Sequence, residues 1–290
     1  MRKLLYILLL FGSLVQAQFT PLVGIVASSG GGTALDYSVL NATASGNNLD
    51  ITALASGNGL SFRNYGGYSY LLCSTTYSIH KFSEWTTDLS AVTSQSENFT
   101  LSNTSQDFWI NPAGTLIVYF SNTTTFRWRT MSTPWDVSTC GALTTQALPA
   151  GSSLTTPRGF TANADGSRYW VTGNTGDVVA EFSNSTAGDF TTGSYVGEFS
   201  TAGVGAAQPK GLAISPDGKY IIVGDSTDDD IYEWVLTTLG TISGGTTYNG
   251  ALLNVGAASQ QGLHYSNDGT KIAIADNALN PGVIEFNLNN

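Results

Sequence analysis

Chemistry in this chain has to come from few residues. Among 290 residues there are two histidines, two cysteines, 21 acidic and 11 basic side chains. His80 and His264 have no second His or Cys at ligand spacing, so no zinc site is expected. His264 stands in Gly262-Leu263-His264, where an acid–base group could act, but no carboxylate partner is evident beside it. Asp225, Asp228, Asp229 and Asp230 crowd one acidic turn, and hard oxygen ligands of this kind can hold Ca²⁺. The spacing is not that of an EF-hand and its glycine is missing, which favours a solvated hairpin turn. Cys73 and Cys140 are expected as free or buried thiols. No nucleophile elbow, phosphate loop or dinucleotide fingerprint occurs. A net charge of −10 argues against a nucleic-acid partner, which would need clustered Lys and Arg.

The elements that must position these residues repeat. Asn111-Pro112-Ala113-Gly114, Asn163-Ala164-Asp165-Gly166, Ser215-Pro216-Asp217-Gly218 and Ser266-Asn267-Asp268-Gly269 are turns of one type, their glycines 52, 52 and 51 residues apart. Asn64-Tyr65-Gly66-Gly67 is a weaker copy. Gly159, Gly211 and Gly262 each fall seven residues before a turn glycine. A second marker follows each turn: Glu84-Trp85, Arg127-Trp128, Glu181-Phe182, Glu233-Trp234 and Glu285-Phe286. Each unit reads as four short strands, and no stretch after residue 18 keeps helical spacing. Repeated four-stranded units of this length predict an all-β fold, a β-propeller whose blades hide their faces against one another. Five clear blades occupy residues 59–290. Residues 18–58 supply either a closing strand, expected over Leu49 to Leu54, or a degenerate sixth blade in which Ala34 to Tyr37 copies the third-strand marker and Leu22 to Val26 a second strand.

Residues 1–17 have the three-part pattern of a secretory signal peptide. Arg2 and Lys3 precede the apolar run Leu4 to Phe11, and Ala17 offers a cleavage site. The run is too short to span a bilayer, and no later segment could do so. A secreted, extracellular or periplasmic protein is expected. Asn41, Asn98, Asn103 and Asn122 form sequons that matter only in a host that glycosylates them.

Ser132-Thr133-Pro134-Trp135-Asp136-Val137-Ser138-Thr139, together with the DG turns, resembles repeats in propellers of marine bacteria and of bacteriophage tails. More distantly, the DG turns resemble lactonase-like and NHL-like propellers. The first resemblance implies an adhesin-like or virion-associated binding protein, although a cleavable leader sits awkwardly with virion assembly. The second implies a divalent cation at the tunnel mouth of a hydrolytic enzyme. The matching positions here are Asn58, Gln106, Arg158, Lys210 and Gln261. None is acidic and two are cationic, so a cation would be repelled and no cofactor is expected. The same positions form a polar ring suited to a neutral or anionic ligand, with His264 near the tunnel and Trp135 free to anchor its segment or meet a partner. The expected function is non-enzymatic binding of a protein or surface glycan, with a lactonase-like hydrolase as the alternative.

Overall fold

The structure is a computed structural model that describes residues 35–49, 51, 59–73, 76–101, 105–121, 123–228, 230–252, 260–276 and 282–289. The expected leader, Asn58, Asn103, Asn122, Asp229, Ala34, and the segments Leu22 to Val26 and Thr52 to Leu54 lie outside them.

A single strand comes first, β1 (Thr43–Asn48). Blade 1 holds β2 (Gly59–Tyr65), β3 (Tyr68–Cys73), β4 (Ser78–Ser83) and β5 (Ser94–Thr100). Blade 2 holds β6 (Ser105–Ile110), β7 (Leu116–Ser121), β8 (Thr125–Thr130) and β9 (Thr144–Ala147). Blade 3 holds β10 (Pro157–Ala162), β11 (Arg168–Gly173), β12 (Val178–Asn184) and β13 (Gly193–Ser200). Blade 4 holds β14 (Pro209–Ile214), β15 (Tyr220–Asp225), β16 (Ile231–Thr238) and β17 (Thr241–Leu252). Blade 5 holds β18 (Gln260–Tyr265), β19 (Lys271–Asp276) and β20 (Val283–Asn287).

Every sheet is antiparallel, and blade 5 takes β1 as its fourth strand, in the order β1-β20-β19-β18. The closing strand is therefore Thr43–Asn48, several residues earlier than the sequence pattern suggests. Leu49 and Ile51, the apolar residues behind that expectation, are buried between blades 5 and 1 instead. Asp36 and Tyr37 do not begin a third strand. They lie in the connector that blade 5 needs between its third and fourth strands, and the Tyr37 ring lies over Gly269, the turn glycine of that blade.

Second strands are buried along nearly their whole length, as strands covered on both faces must be. A separate apolar cluster fills each of the five interfaces, including the one between blades 5 and 1. That last cluster makes the arrangement a closed ring.

The third-strand marker holds in three blades and shifts in two. Four residues after the turn glycine, Trp170, Ile222 and Ala273 pair with Glu181, Glu233 and Glu285. The equivalent Val118 pairs with Trp128, so Trp128-Arg129 is the marker in blade 2. In blade 1 it is Lys81-Phe82, Lys81 facing Tyr70. Glu84-Trp85 lies beyond β4. The reason is local: Tyr65 pairs with Tyr68 across a two-residue turn, Gly66 and Gly67 both having positive φ, so blade 1 is shorter.

Candidate functional site

Inner strands β2, β6, β10, β14 and β18 surround the axis, and the axis is filled. The Arg63 guanidinium pairs with Asp107 of blade 2. Its remaining N–H groups donate to Phe160 O of blade 3 at 2.7 Å, Leu212 O of blade 4 at 3.3 Å and Leu263 O of blade 5 at 2.7 Å. One side chain of blade 1 thus bonds to each of the other four blades. Asp107 also accepts from Phe108 N at 2.8 Å, Phe160 N at 3.0 Å and the Ser61 hydroxyl. Both members of the pair are buried, with side chains 2% and 0% exposed. Burial opposes the Arg63 charge, but Asp107 outweighs it and raises the pKa. A buried pair survives only with this degree of satisfaction.

Asp107 stands seven residues before Gly114, where blades 3 to 5 have Gly159, Gly211 and Gly262. At Gly159 a Cβ would strike Lys210 O of the next blade, and at Gly211 it would meet Leu263 Cγ at 2.9 Å. The repeated glycines therefore mark the crowded axis. A carboxylate in that column was the signal for a central ion pair, and sequence reasoning missed it.

His264 is an inner-strand residue and stays partly exposed. Its Nε2 accepts from Asn64 N at 3.0 Å. Burial and the neighbouring Arg63 hold its pKa well below the ordinary value, so the imidazole is neutral and already engaged.

The ring of polar positions lies where the inner strands begin. Arg158 Nη1 donates to Gln106 Oε1 at 3.0 Å, bridging blades 3 and 2. Lys210 of blade 4 lies close enough to Arg158 to be affected by it. Burial, then the Arg158 charge, lower the Lys210 pKa, and Asp225 only partly compensates. Arg158 is likewise lowered by burial, with Tyr77 acting the other way. Among the described residues neither cation forms an ion pair. Gln261 is buried, at 6% exposure. Four of the five expected positions thus begin neighbouring inner strands, and a half-buried cationic pair occupies two of them.

Trp135 adopts a positive φ of 66°. Its indole lies against Gly66 of blade 1 and Gly114 of blade 2, where any Cβ would collide with it. Its carbonyl accepts from Tyr70 OH at 2.9 Å. In this structure it anchors the connector of blade 2 to the turn of blade 1.

The acidic turn is not simply solvated, because Asp225 is 0% exposed. Its Oδ2 accepts from Gln208 N at 2.6 Å, and its Oδ1 from Thr227 N at 2.7 Å and from the Thr227 hydroxyl. Asp228 accepts from Tyr232 OH at 2.6 Å. These carboxylates tie the turn to the blade, and among the described residues no three His, Cys, Asp or Glu side chains converge as metal ligands would. Cys73 and Cys140 are not joined in a disulfide, and burial pushes the Cys140 thiol up to about 11. No described helix is long and apolar enough to cross a membrane.

Five four-stranded blades, the fifth completed by the N-terminal strand β1, define a five-bladed β-propeller. No protein-family model matches the sequence, and no curated protein does. Solved structures similar to it include a candidate 6-phosphogluconolactonase from Bacteroides fragilis, at 17% identity and TM-score 0.49, over 80% of this chain and 66% of that one. A second candidate 6-phosphogluconolactonase, from Bacteroides uniformis, is 15% identical with TM-score 0.47, over 74% of this chain and 62% of that one. The Cps50 (Swd1) β-propeller domain of Myceliophteria thermophila is 9% identical with TM-score 0.47, over 85% of this chain and 99% of that one. The chain spans a little under two thirds of the two lactonase candidates. At these identities the likeness is one of fold.

Proposed function

We propose that this protein is an exported, non-enzymatic binding propeller. It holds a partner protein or a surface glycan on the face where the inner strands begin. The observation that carries the reading is the Arg158–Lys210 pair. Two half-buried cations lie close together without an ion-pair partner among the described residues, on a chain of net charge −10. Such a pair attracts an anionic group, the carboxylate of an acidic sugar or side chain. The filled axis supports the reading, since a hydrolase built around a central channel would need the space that Arg63 and Asp107 occupy.

A glycan array containing acidic oligosaccharides, run beside an ester and lactone hydrolysis assay, tests the reading. Binding without turnover is expected, weakened about tenfold or more by Arg158→Ala or Lys210→Ala, equivalent to about 1.4 kcal/mol. Hydrolysis lost on His264→Ala would favour the lactonase-like enzyme instead.

A further inference from the structure

Three of the five blade interfaces are tied by a buried carboxylate at the marker position. Glu181 accepts from Ile242 N at 2.6 Å, Glu233 from Val39 N at 2.7 Å and Glu285 from Leu89 N at 3.1 Å. The donors come from the next blade: Leu89 lies between its third and fourth strands, Val39 just ahead of its fourth strand and Ile242 at the start of its fourth strand. Arg168 and Lys271, two residues after their turn glycines, pair with Glu181 and Glu285.

Blade 2 departs at both places. Trp128 stands where the Glu would be and Leu116 where the cation would be. The donor that should receive the carboxylate is Phe190 N of blade 3. It has no acceptor among the described residues, and neither has Trp128 Nε1. Nor does a connector side chain cover the gap. The blade 3 connector carries Gly188 where blade 2 has the Trp135 ring and blade 5 the Tyr37 ring. The result is an open cleft of about 320 Å³ lined by Leu116, Trp128, Gly188, Asp189, Phe190 and Thr191. That is the lower end of the range for ligand pockets.

Its chemistry is mixed in a particular way. Two N–H groups have no protein acceptor among the described residues, and that of the partly exposed Trp128 is open to solvent or a ligand. The Asp189 Oδ1 accepts from Thr191 N at 3.0 Å and Thr191 Oγ1 at 2.6 Å, whereas Oδ2 accepts nothing among the described residues. Leu116 and the indole of Trp128 supply apolar walls. A carboxylate ligand would face Asp189 without the cation that Lys271 provides beside Asp88 at the interface of blades 5 and 1. A cationic ligand would face two N–H donors. A hydroxyl accepts from the N–H groups and donates to the carboxylate, and the C–H face of a sugar ring suits an aromatic wall.

We infer that the cleft between blades 2 and 3 is a subsite for a neutral pyranose. It lies at the end of the strands opposite Arg158 and Lys210, because Leu116 follows the turn that ends the inner strand. It does not depend on that cationic face.

The test is calorimetric titration of the full chain with neutral hexasaccharides of glucose, mannose, galactose and xylose, with hexagalacturonate as the acidic comparison. At least one neutral hexasaccharide is expected to bind and to change tryptophan fluorescence. Trp128→Ala and Asp189→Asn should each weaken that binding about tenfold or more, while Arg158→Ala leaves it unchanged. The double variant L116K/W128E rebuilds the carboxylate tie of blades 3 and 5. It should abolish binding without lowering Tm, which separates loss of the site from loss of the fold. Failure of all four neutral probes overturns the proposal, as does full binding by the double variant. Binding confined to hexagalacturonate and lost with Arg158→Ala also overturns it, while supporting the cationic face.

Discussion

Arg63 and Asp107 show how much one residue pair can decide. A guanidinium has five donors in a rigid fork, and here the fork reaches a carboxylate and three backbone carbonyls drawn from four blades. Removing one partner leaves the other charged and buried. Arg63→Met or Asp107→Asn should each cost about 3–5 kcal/mol in equilibrium urea denaturation. The double variant R63M/D107L should cost less than the sum of its single changes, because neither charge is then stranded. Strict additivity would mean that the two side chains act separately. His264, beside this pair, gives a pH signature. An unfolded histidine titrates near 6.5, whereas burial and Arg63 keep the folded His264 pKa well below its ordinary value. Between the two values the unfolded chain binds the extra proton, so stability is present above about pH 6.5 and falls as the pH drops below it. His80, also lowered by burial, contributes with the same sign. Thermal melts should lose stability from pH 7 to pH 5, and His264→Gln, which keeps a side-chain acceptor for Asn64 N, should flatten that slope. An unchanged slope would assign the effect to other groups.

Blades are joined by carboxylates whose environments differ. Burial raises the Glu233 pKa despite bonds from Asn249, Val39 and Ser38, and among the described residues no Lys or Arg pairs with it. Burial also opposes the charge of Glu285, yet bonds from Asn47, Lys271, Trp85 and Ser45 prevail and lower its pKa. Glu233 holds the segment that leads into β1. Glu233→Ala should leave Val39 N without an acceptor and destabilise that attachment by about 1–3 kcal/mol. Hydrogen exchange should then show β1 and Val39 losing protection ahead of β19, whereas uniform loss across blade 5 would contradict this role. The marker that revealed these carboxylates was legible because their spacing recurs almost unchanged in blades 3 to 5. It failed in blades 1 and 2 because a shortened turn and a Trp in place of Glu break the period. Only strand pairing could show that Lys81 and Trp128 are the equivalents.

At the scale of the molecule, closure depends on an exchange between distant parts of the chain. Thr43–Asn48 completes the sheet whose other strands lie between residues 260 and 287, and the connector around Tyr37 covers Gly269. The all-β class, the four-stranded unit and five clear blades follow from the sequence alone, whereas strand pairing decided that the N-terminal segment closes blade 5 and does not form a sixth. Turn glycines and alternating apolar runs are local, and a local period survives in any arrangement that buries both faces of a sheet. The polar positions Gln106, Arg158, Lys210 and Gln261 could also be read by counting from the turns. What fills the axis could not be. Whether Arg63 meets Asp107, whether His264 faces solvent, and whether Trp128 fills or leaves a gap are contacts across blades, between residues of large sequence separation. No periodicity encodes such pairings. They exist only once five sheets have closed around one axis and forced those side chains into the same small volume.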